Sequence, residues 1–372
     1  MSGVMHHFHQ IPRAWLPPHC PNPNCRYHKQ FTHRSDFKRM GYYTTRANPK
    51  RIPRFLCHHC HRSFSRQTFS TTYWQKRPDL DRRLFMRVVS CAGNRQIARD
   101  LGVAPETVAR HLARLGRHCL LFHARDLMRV RPFTAVVVDG FESFEYSQYF
   151  PLHLHVAVDP KSWYFIYFTD SELRRKGRMT AAQKRRRGEL EGRLGRPSPR
   201  TIAQDMGEVL RVVLRGAVSA VVYSDEHPAY RRSLQQVAIP VVHRQTNSRA
   251  PRHAANELAP VNALDGLLRH SSANHKRETI AYSKRRQAAA EKAAILLVWR
   301  NAMKWCAENK PGQTPAMRLG LRQERLTVDE LLRERIFRSQ VALPPRWDAY
   351  YQRRVTTRAL AHNRRHELTY AF

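Results

Sequence analysis

The sequence predicts an α/β chain in which a mixed-sheet domain is preceded by two small modules. Three observations predict it. Two close cysteine pairs lie within the first sixty residues. Helical periodicity follows over residues 80–117. Beyond residue 130 the pattern turns strand-rich, and two apolar runs, 135–139 and 220–225, end on aspartate.

Composition narrows the partners. The 372 residues carry 66 Lys+Arg against 29 Asp+Glu, a formal charge of +37. That excess favours phosphate backbones through counterion release. Apolar residues make up 42% and charged residues 26%, so the chain is globular, with length for two or three domains. No apolar run is long enough for a membrane helix, and no membrane association is expected. The first residues lack the basic-then-apolar signature of a signal peptide. Seven cysteines, an odd count, argue for a metal site in a reducing compartment.

Residues 1–72 read as a zinc ribbon. Cys20-Pro-Asn-Pro-Asn-Cys25 and Cys57-His-His-Cys60 can each turn two thiolates toward one ion, and two such knuckles close a tetrahedral zinc site. His19, His28, His58, His59 and His61 are alternative ligands. Strand-like pieces at 42–45 and 54–57 lie between or beside the knuckles. The basic surround, including Arg26, Lys38, Arg39 and Arg54, suggests DNA contact. Cys91, Cys119 and Cys306 lie in apolar helical contexts and read as core.

Residues 73–128 read as a helix-turn-helix. Leu84, Phe85, Val88 and Val89 make one apolar stripe. Ile97, Ala98 and Leu101 pack the next helix, which Gly102 ends through a positive φ. Pro105 suits the first turn of the following helix, where Val108 and Leu112 repeat at i,i+4. The pattern resembles DNA-binding hairpins whose second helix enters the major groove. Glu106, Thr107, Arg110 and His111 then face bases or phosphates. The alternative is an ordinary helical hairpin.

Residues 129–310 form the third region. Strands are expected at 134–139, 152–159 and 163–169, with a hairpin turn at 159–162. A basic stretch at 174–200, within an insertion near 171–200, reads as a mobile linker or a DNA-contacting insertion. A helix at 202–214, a strand at 219–224, a short helix at 228–237 and a strand at 239–243 follow. Three antiparallel-type strands, then helix, strand, helix, strand, is the order of an RNase H-like fold. In such a sheet the first and fourth strands can lie side by side.

That neighbourhood gives Asp139 and Asp225 a meaning. Two carboxylates forced together repel unless cations neutralise them. Oxygen ligands of this type suit magnesium or manganese. Two such ions can activate an attacking oxygen and stabilise a leaving one in phosphodiester chemistry. A third acid is sought downstream. Asp265 flanks the apolar face of a helical pattern at 260–269, while Glu257 precedes that helix and Glu278 follows it. Asp265 is preferred on helical phase, with Glu257 the alternative. Glu142 reads as a nearby support, and His227 as a cap or as a group orienting phosphate or water.

Zinc ribbon, helix-turn-helix and an Asp–Asp–acid domain, taken together, resemble bacterial insertion-sequence transposases of the DDE/DDD class. The local strings are Val138-Asp-Gly-Phe-Glu142, Ser224-Asp-Glu-His-Pro-Ala-Tyr230 and Asn274-His-Lys-Arg-Glu-Thr-Ile-Ala-Tyr-Ser-Lys-Arg285. The likeness covers roughly residues 18–305. It implies DNA cleavage at element ends, strand transfer into target DNA, two magnesium ions, recognition of terminal inverted repeats and a homo-oligomer on DNA. It also implies phosphate contacts from Lys276, Arg277, Lys284 and Arg285. Two departures stand out: the preferred third acid is Asp where the family places Glu, and Gly140 stands where an acid often follows the first Asp. A DNA-binding regulator without catalysis and a related nuclease are the competing readings.

Residues 311–372 read as a helical and basic tail. An apolar helix at 288–303 should pack on the sheet, and another starts near Thr327. The segment from Tyr350 onward is basic and reads as DNA-tracking or solvated.

Overall fold

The computed structural model describes residues 15–30, 33–47, 51–276, 279–308 and 312–363. They form two compact units divided after Pro78.

The first unit is a three-stranded antiparallel sheet of β1 (Phe37–Tyr43), β2 (Ile52–Cys57) and β3 (Ser63–Ser65). Its small core is aromatic: Phe37, Phe55 and Phe64 pack with Trp15, Tyr27 and Phe69. One face of β1 is bare, with only Phe37 buried.

The second unit opens with three helices, α1 (Asp81–Val89), α2 (Asn94–Leu101) and α3 (Pro105–Leu127). The expected stripe Leu84, Phe85, Val88 and Val89 is buried. Gly102 ends α2 at φ 62°, and Pro105 occupies the first turn of α3. The difference lies in length. α3 runs on for 23 residues, and nearly all of its second half is buried. It packs along α8 (Arg286–Val298), so the hairpin shares one core with the sheet and the chain has no division near residue 128.

The sheet holds β4 (Ala135–Phe144), β5 (Pro151–Val158), β6 (Phe165–Glu172), β7 (Ala220–Ser224) and β8 (Val241–Gln245), in the order β6-β5-β4-β7-β8. β4, β5 and β6 are antiparallel, while β7 and β8 run parallel to β4. The first and fourth strands of this sheet are therefore neighbours, as the sequence predicts. β4 continues five residues past Asp139, because Phe141 and the residues after it keep pairing with β5 beyond the end of the apolar run.

Helices α5 (Thr201–Val213), α6 (Pro228–Leu234) and α7 (Ala259–Ser271) follow the expected positions. The basic stretch departs from expectation. Residues Ala181–Leu194 form a helix, α4, capped by the Thr180 hydroxyl and tied down by Arg174–Glu191. It buries no residue, so polar anchors rather than an apolar stripe hold it.

The C-terminal region also departs. α9 (Pro315–Arg318) and α10 (Val328–Leu331) lead to α11 (Pro345–Tyr351), whose Trp347, Tyr350 and Tyr351 are fully buried. Edge strand β6 is the reason. Its outward backbone groups are satisfied by side chains: Asn301 bonds both N and O of Phe165, Trp347 Nε1 donates to Phe168 O, and Arg346 donates to Asp170 O. Asp170 itself is enclosed by Arg286, Arg346 and Tyr350. The start of the basic tail is core rather than solvated surface: Tyr350, Tyr351 and Thr357 are buried, while Arg354, Thr356, Ala361 and His362 are exposed. Cys119 is buried as expected, whereas Cys91 and Cys306 are half-buried. Among the described residues no helix is long and apolar enough to cross a membrane.

Candidate functional site

The two cysteine pairs meet. The Sγ atoms of Cys20, Cys25, Cys57 and Cys60 all lie within 4.8 Å of one another. Cys20–Cys60 and Cys25–Cys57 are 3.6 and 3.7 Å apart. A tetrahedral zinc thiolate site with bonds of about 2.3 Å has sulfur–sulfur edges of about 3.8 Å. The donor set and spacing therefore fit zinc. The neighbouring histidines stand outside the ligand group: His28 Nδ1 bonds Cys20 O at 2.7 Å, and His59 Nδ1 lies 3.3 Å from Cys25 Sγ. Burial pushes the Cys20 thiol up. Cys60 falls to about 7, because the Arg62 N–H and contacts from Asn22, Cys20 and Cys57 outweigh its burial.

The aspartates are positioned by strand register. β4 and β7 pair Ala135 with Val221, Val136 with Val222 and Val137 with Tyr223. Two residues further along, Asp139 stands level with Asp225, which directly follows β7. Three residues beyond Asp225, Pro228 starts α6 with His227 as its N-cap. The His227 N–H donates to Asp225 Oδ1 at 2.9 Å, and His227 Nδ1 accepts from Ala229 N. His227 is thus a capping residue. α6 then carries Tyr230 inward, where its hydroxyl donates to Asp139 Oδ1 at 3.1 Å.

The charges of this cluster act on one another. Burial raises the Asp139 carboxyl to about 6, and the Asp225 charge pushes the same way. The Gly140 N–H, the Tyr230 hydroxyl and Arg252 pull against that rise. Asp265, on α7, is pushed well above the carboxylate range, first by burial and then by the charge of Asp139. Its Oδ1 is buried with no hydrogen-bond partner. The Tyr230 hydroxyl is raised by burial and by the charges of Asp139, Asp225 and Asp265 together. The three carboxylates are not drawn within 4.8 Å of one another; among the described residues only the four cysteines are. Such an arrangement is electrostatically incomplete. An orphaned carboxyl oxygen and mutually opposed acids fit a divalent cation with oxygen ligands.

Glu257 behaves differently. It is exposed and faces Arg244 at 3.4 Å across the loop before α7. Glu142 is also exposed. Glu278 and Arg277 lie outside the described residues.

Gly140 has a local reason. A Cβ there would lie 2.4 Å from His153 Nε2 and 2.6 Å from the carbonyl O of Leu154. An acid at this position has no room. Past Asp139, the β7 side of β4 is lined by the segment after α7: Ser143 Oγ contacts Asn274 and His275, and Tyr146 N donates to Ser283 O.

Among the proposed DNA-facing groups, Glu106 and Arg110 are exposed and paired at 2.9 Å, and Thr107 is half-buried. His111 is a correction. It is buried, with Nδ1 2.6 Å from Asp81 Oδ1, because the i+5 position from Glu106 turns toward α1. Lys276 and Lys284 are exposed, and Arg285 reaches the carbonyl of His362. Sequence reasoning did not assign Tyr230 a role. Its signal was present: a tyrosine two residues into a helix whose Pro228 start is fixed just after Asp225.

No protein-family model matches the chain, and no curated protein matches it. Solved structures give partial likenesses. A chain of the simian T-cell lymphotropic virus intasome in complex with PP2A regulatory subunit B56 gamma aligns with 16% identity over 61% of this chain and 70% of its own, at TM-score 0.24. The catalytic domain of Mos1 mariner transposase aligns with 15% identity over 42% of this chain and 72% of its own, at 0.18. The same domain with raltegravir and Mg aligns with 13% identity over 50% and 89%, at 0.19.

Proposed function

We propose that the chain is a metal-dependent DNA transposase of the DDE/DDD class with an RNase H-like catalytic domain. The observation that carries this reading is the placement of Asp139 on β4 level with Asp225, which directly follows the neighbouring parallel strand β7, with Asp265 electrostatically coupled to Asp139. The +37 charge supports a polyanionic substrate.

In this reading Asp139, Asp225 and Asp265 hold magnesium or manganese. Bound there, the metal would supply Lewis acidity toward a phosphodiester and its attacking oxygen. Tyr230 fixes the orientation of Asp139. Thr107 and Arg110, with Lys276, Lys284 and Arg285, hold phosphates. The cysteine cluster holds structural zinc and keeps the ribbon folded. Terminal inverted repeats are the DNA recognised, and a homo-oligomer joins two ends.

The test uses duplexes that the full chain selects from a random-sequence pool, with labelled strands, a plasmid target and Mg²⁺. Cleavage followed by joining to the plasmid is expected, with both lost in Asp139→Asn and Asp225→Asn while binding persists. Asp265→Asn, Glu257→Gln and Glu278→Gln are compared in parallel, and the first is expected to be the inactive one. Cleavage without joining would leave a nuclease, binding without cleavage a regulator. Either result overturns the transposase reading.

A further inference from the structure

Ile280 is 98% exposed, and it sits on a turn that is held from both sides. The Thr279 hydroxyl donates to Ala273 O at 2.8 Å and accepts from Ala281 N at 2.9 Å. Beyond the turn, the Tyr282 ring packs on Phe144, and Tyr146 N donates to Ser283 O. These contacts fasten the turn to the second half of β4, a few residues past Asp139.

The other side of the turn meets the helical hairpin. A Cβ built on Gly93, at the start of α2, would lie 3.5 Å from the Ala281 Cβ. Cys91 N, in the same α1–α2 connection, donates to Ser271 O at the end of α7. The turn therefore lies between the α1–α2 connection and the far end of β4, the strand that carries Asp139. Exposed Lys276 and Lys284 flank it in sequence.

Single exposed apolar residues are ordinary on protein surfaces. This one differs in its setting. A full-length isoleucine is presented to solvent by a turn anchored on each side, within the segment whose Lys276, Lys284 and Arg285 are read as phosphate contacts. Apolar wedges of this size enter base steps in proteins that unstack or kink duplex DNA. We propose that Ile280 is such a wedge: it inserts into the base stack of duplex that runs along β4 and so fixes the register of the backbone that reaches the carboxylates. The inference rests on the DNA-processing reading above.

The test uses the full chain and the duplexes it selects from a random-sequence pool, with 2-aminopurine placed at successive steps. Binding is followed without divalent metal, so no cleavage intervenes. For the native chain, a fluorescence rise at one step is expected. Ile280→Ala and Ile280→Ser should abolish it, and Ile280→Leu should keep it. With Mg²⁺, Ile280→Ala should cut a fully paired duplex about tenfold more slowly, and a mismatch at that step should restore the rate to within about twofold. Ile280 makes no buried contact to lose, so folding is unaffected. An equal rise in Ile280→Ala, or no rise at any step with the native chain bound, overturns the wedge. A native chain that shows the rise but never cleaves overturns the catalytic reading and leaves the wedge standing.

Discussion

The Tyr230 hydroxyl donates a 3.1 Å hydrogen bond to Oδ1 of Asp139, and it does so from a helix that begins three residues after Asp225. One short segment thus supplies a second carboxylate and a clamp on the first. The clamp favours the charged form of Asp139, against burial and against the Asp225 charge, both of which favour the neutral form.

Tyr230→Phe removes that donor and little else. A hydrogen bond to an ionised group contributes about 1.5–3 kcal/mol. The Asp139 carboxyl, held at about 6, is expected to rise by roughly 1 unit. Carboxyl-carbon NMR titration of the metal-free protein reads this directly. An unchanged Asp139 titration would sink the clamp.

Asp139→Asn should stabilise the metal-free protein at neutral pH. The folded-state value of about 6 lies above the unfolded one, near 3.8. Between these values the folded state binds more protons, so stability falls as pH rises through the window. The native side chain therefore costs about 2–3 kcal/mol at pH ~7 and nothing below pH ~4. Urea midpoints at the two ends should show the variant ahead at neutral pH and level with the native chain in acid. Mg²⁺ should raise the midpoint of the native chain and leave that of Asp139→Asn nearly still.

His111 and Arg110 separate structure from recognition on adjacent residues. His111→Ala removes one of the interactions of buried Asp81, which keeps the nearby Arg114 charge, and should destabilise by about 1–3 kcal/mol. Its salt slope for DNA binding should stay the same. Arg110→Ala should leave stability within about 0.5 kcal/mol and lower the salt slope by about 1, since the Arg110–Glu106 pair is exposed. Thermal melts and salt titrations of both variants check the contrast.

Local chemistry made much of this legible. Gly102 and Pro105 mark a helix end and start that need no tertiary context. The apolar runs before Asp139 and Asp225 mark buried strands, and their adjacency follows from the strand order. What stayed hidden depends on partners far away in sequence. Arg346 is half-buried because Asp170 and Asp205 lie against it, some 140 to 176 residues away. Tyr350 reaches the same Asp170. No local pattern distinguishes those arginines and tyrosines from a solvated basic tail. α4 escaped for the opposite reason: it lacks an apolar stripe, and its anchors are single ion pairs. The extension of β4 was masked by Gly140, which interrupts the apolar run without interrupting the strand.

The ribbon and the larger unit should respond separately to zinc loss. Removing the metal deprives the first unit of a tie worth about 10–16 kcal/mol in isolated fingers. The small aromatic core around Phe37, Phe55 and Phe64 cannot replace it. Chelation, or Cys57→Ser, should open residues up to Pro78 to proteolysis and leave a resistant fragment beginning near Asp79. Cobalt substitution should give the absorption of a four-thiolate site. Loss of resistance throughout the chain would contradict independent units.

Gly140 offers the sharpest steric test. Gly140→Ala places a methyl group against the His153 ring and the Leu154 carbonyl at once. A side chain can swing aside, but the carbonyl belongs to the β4–β5 ladder and cannot move without breaking register. Over-packing of this kind costs about 1–3 kcal/mol. Gly140→Asp adds the desolvation of a third charge beside Asp139 and should cost more, falling back toward the alanine value in acid as the new carboxyl protonates. His153→Ala removes only the ring contact, so the double variant with Gly140→Ala should recover part of the loss and no more. Full recovery would mean that the imidazole, not the backbone, dictates glycine here; no loss in the single variant would mean that the strand has room for a side chain at this position.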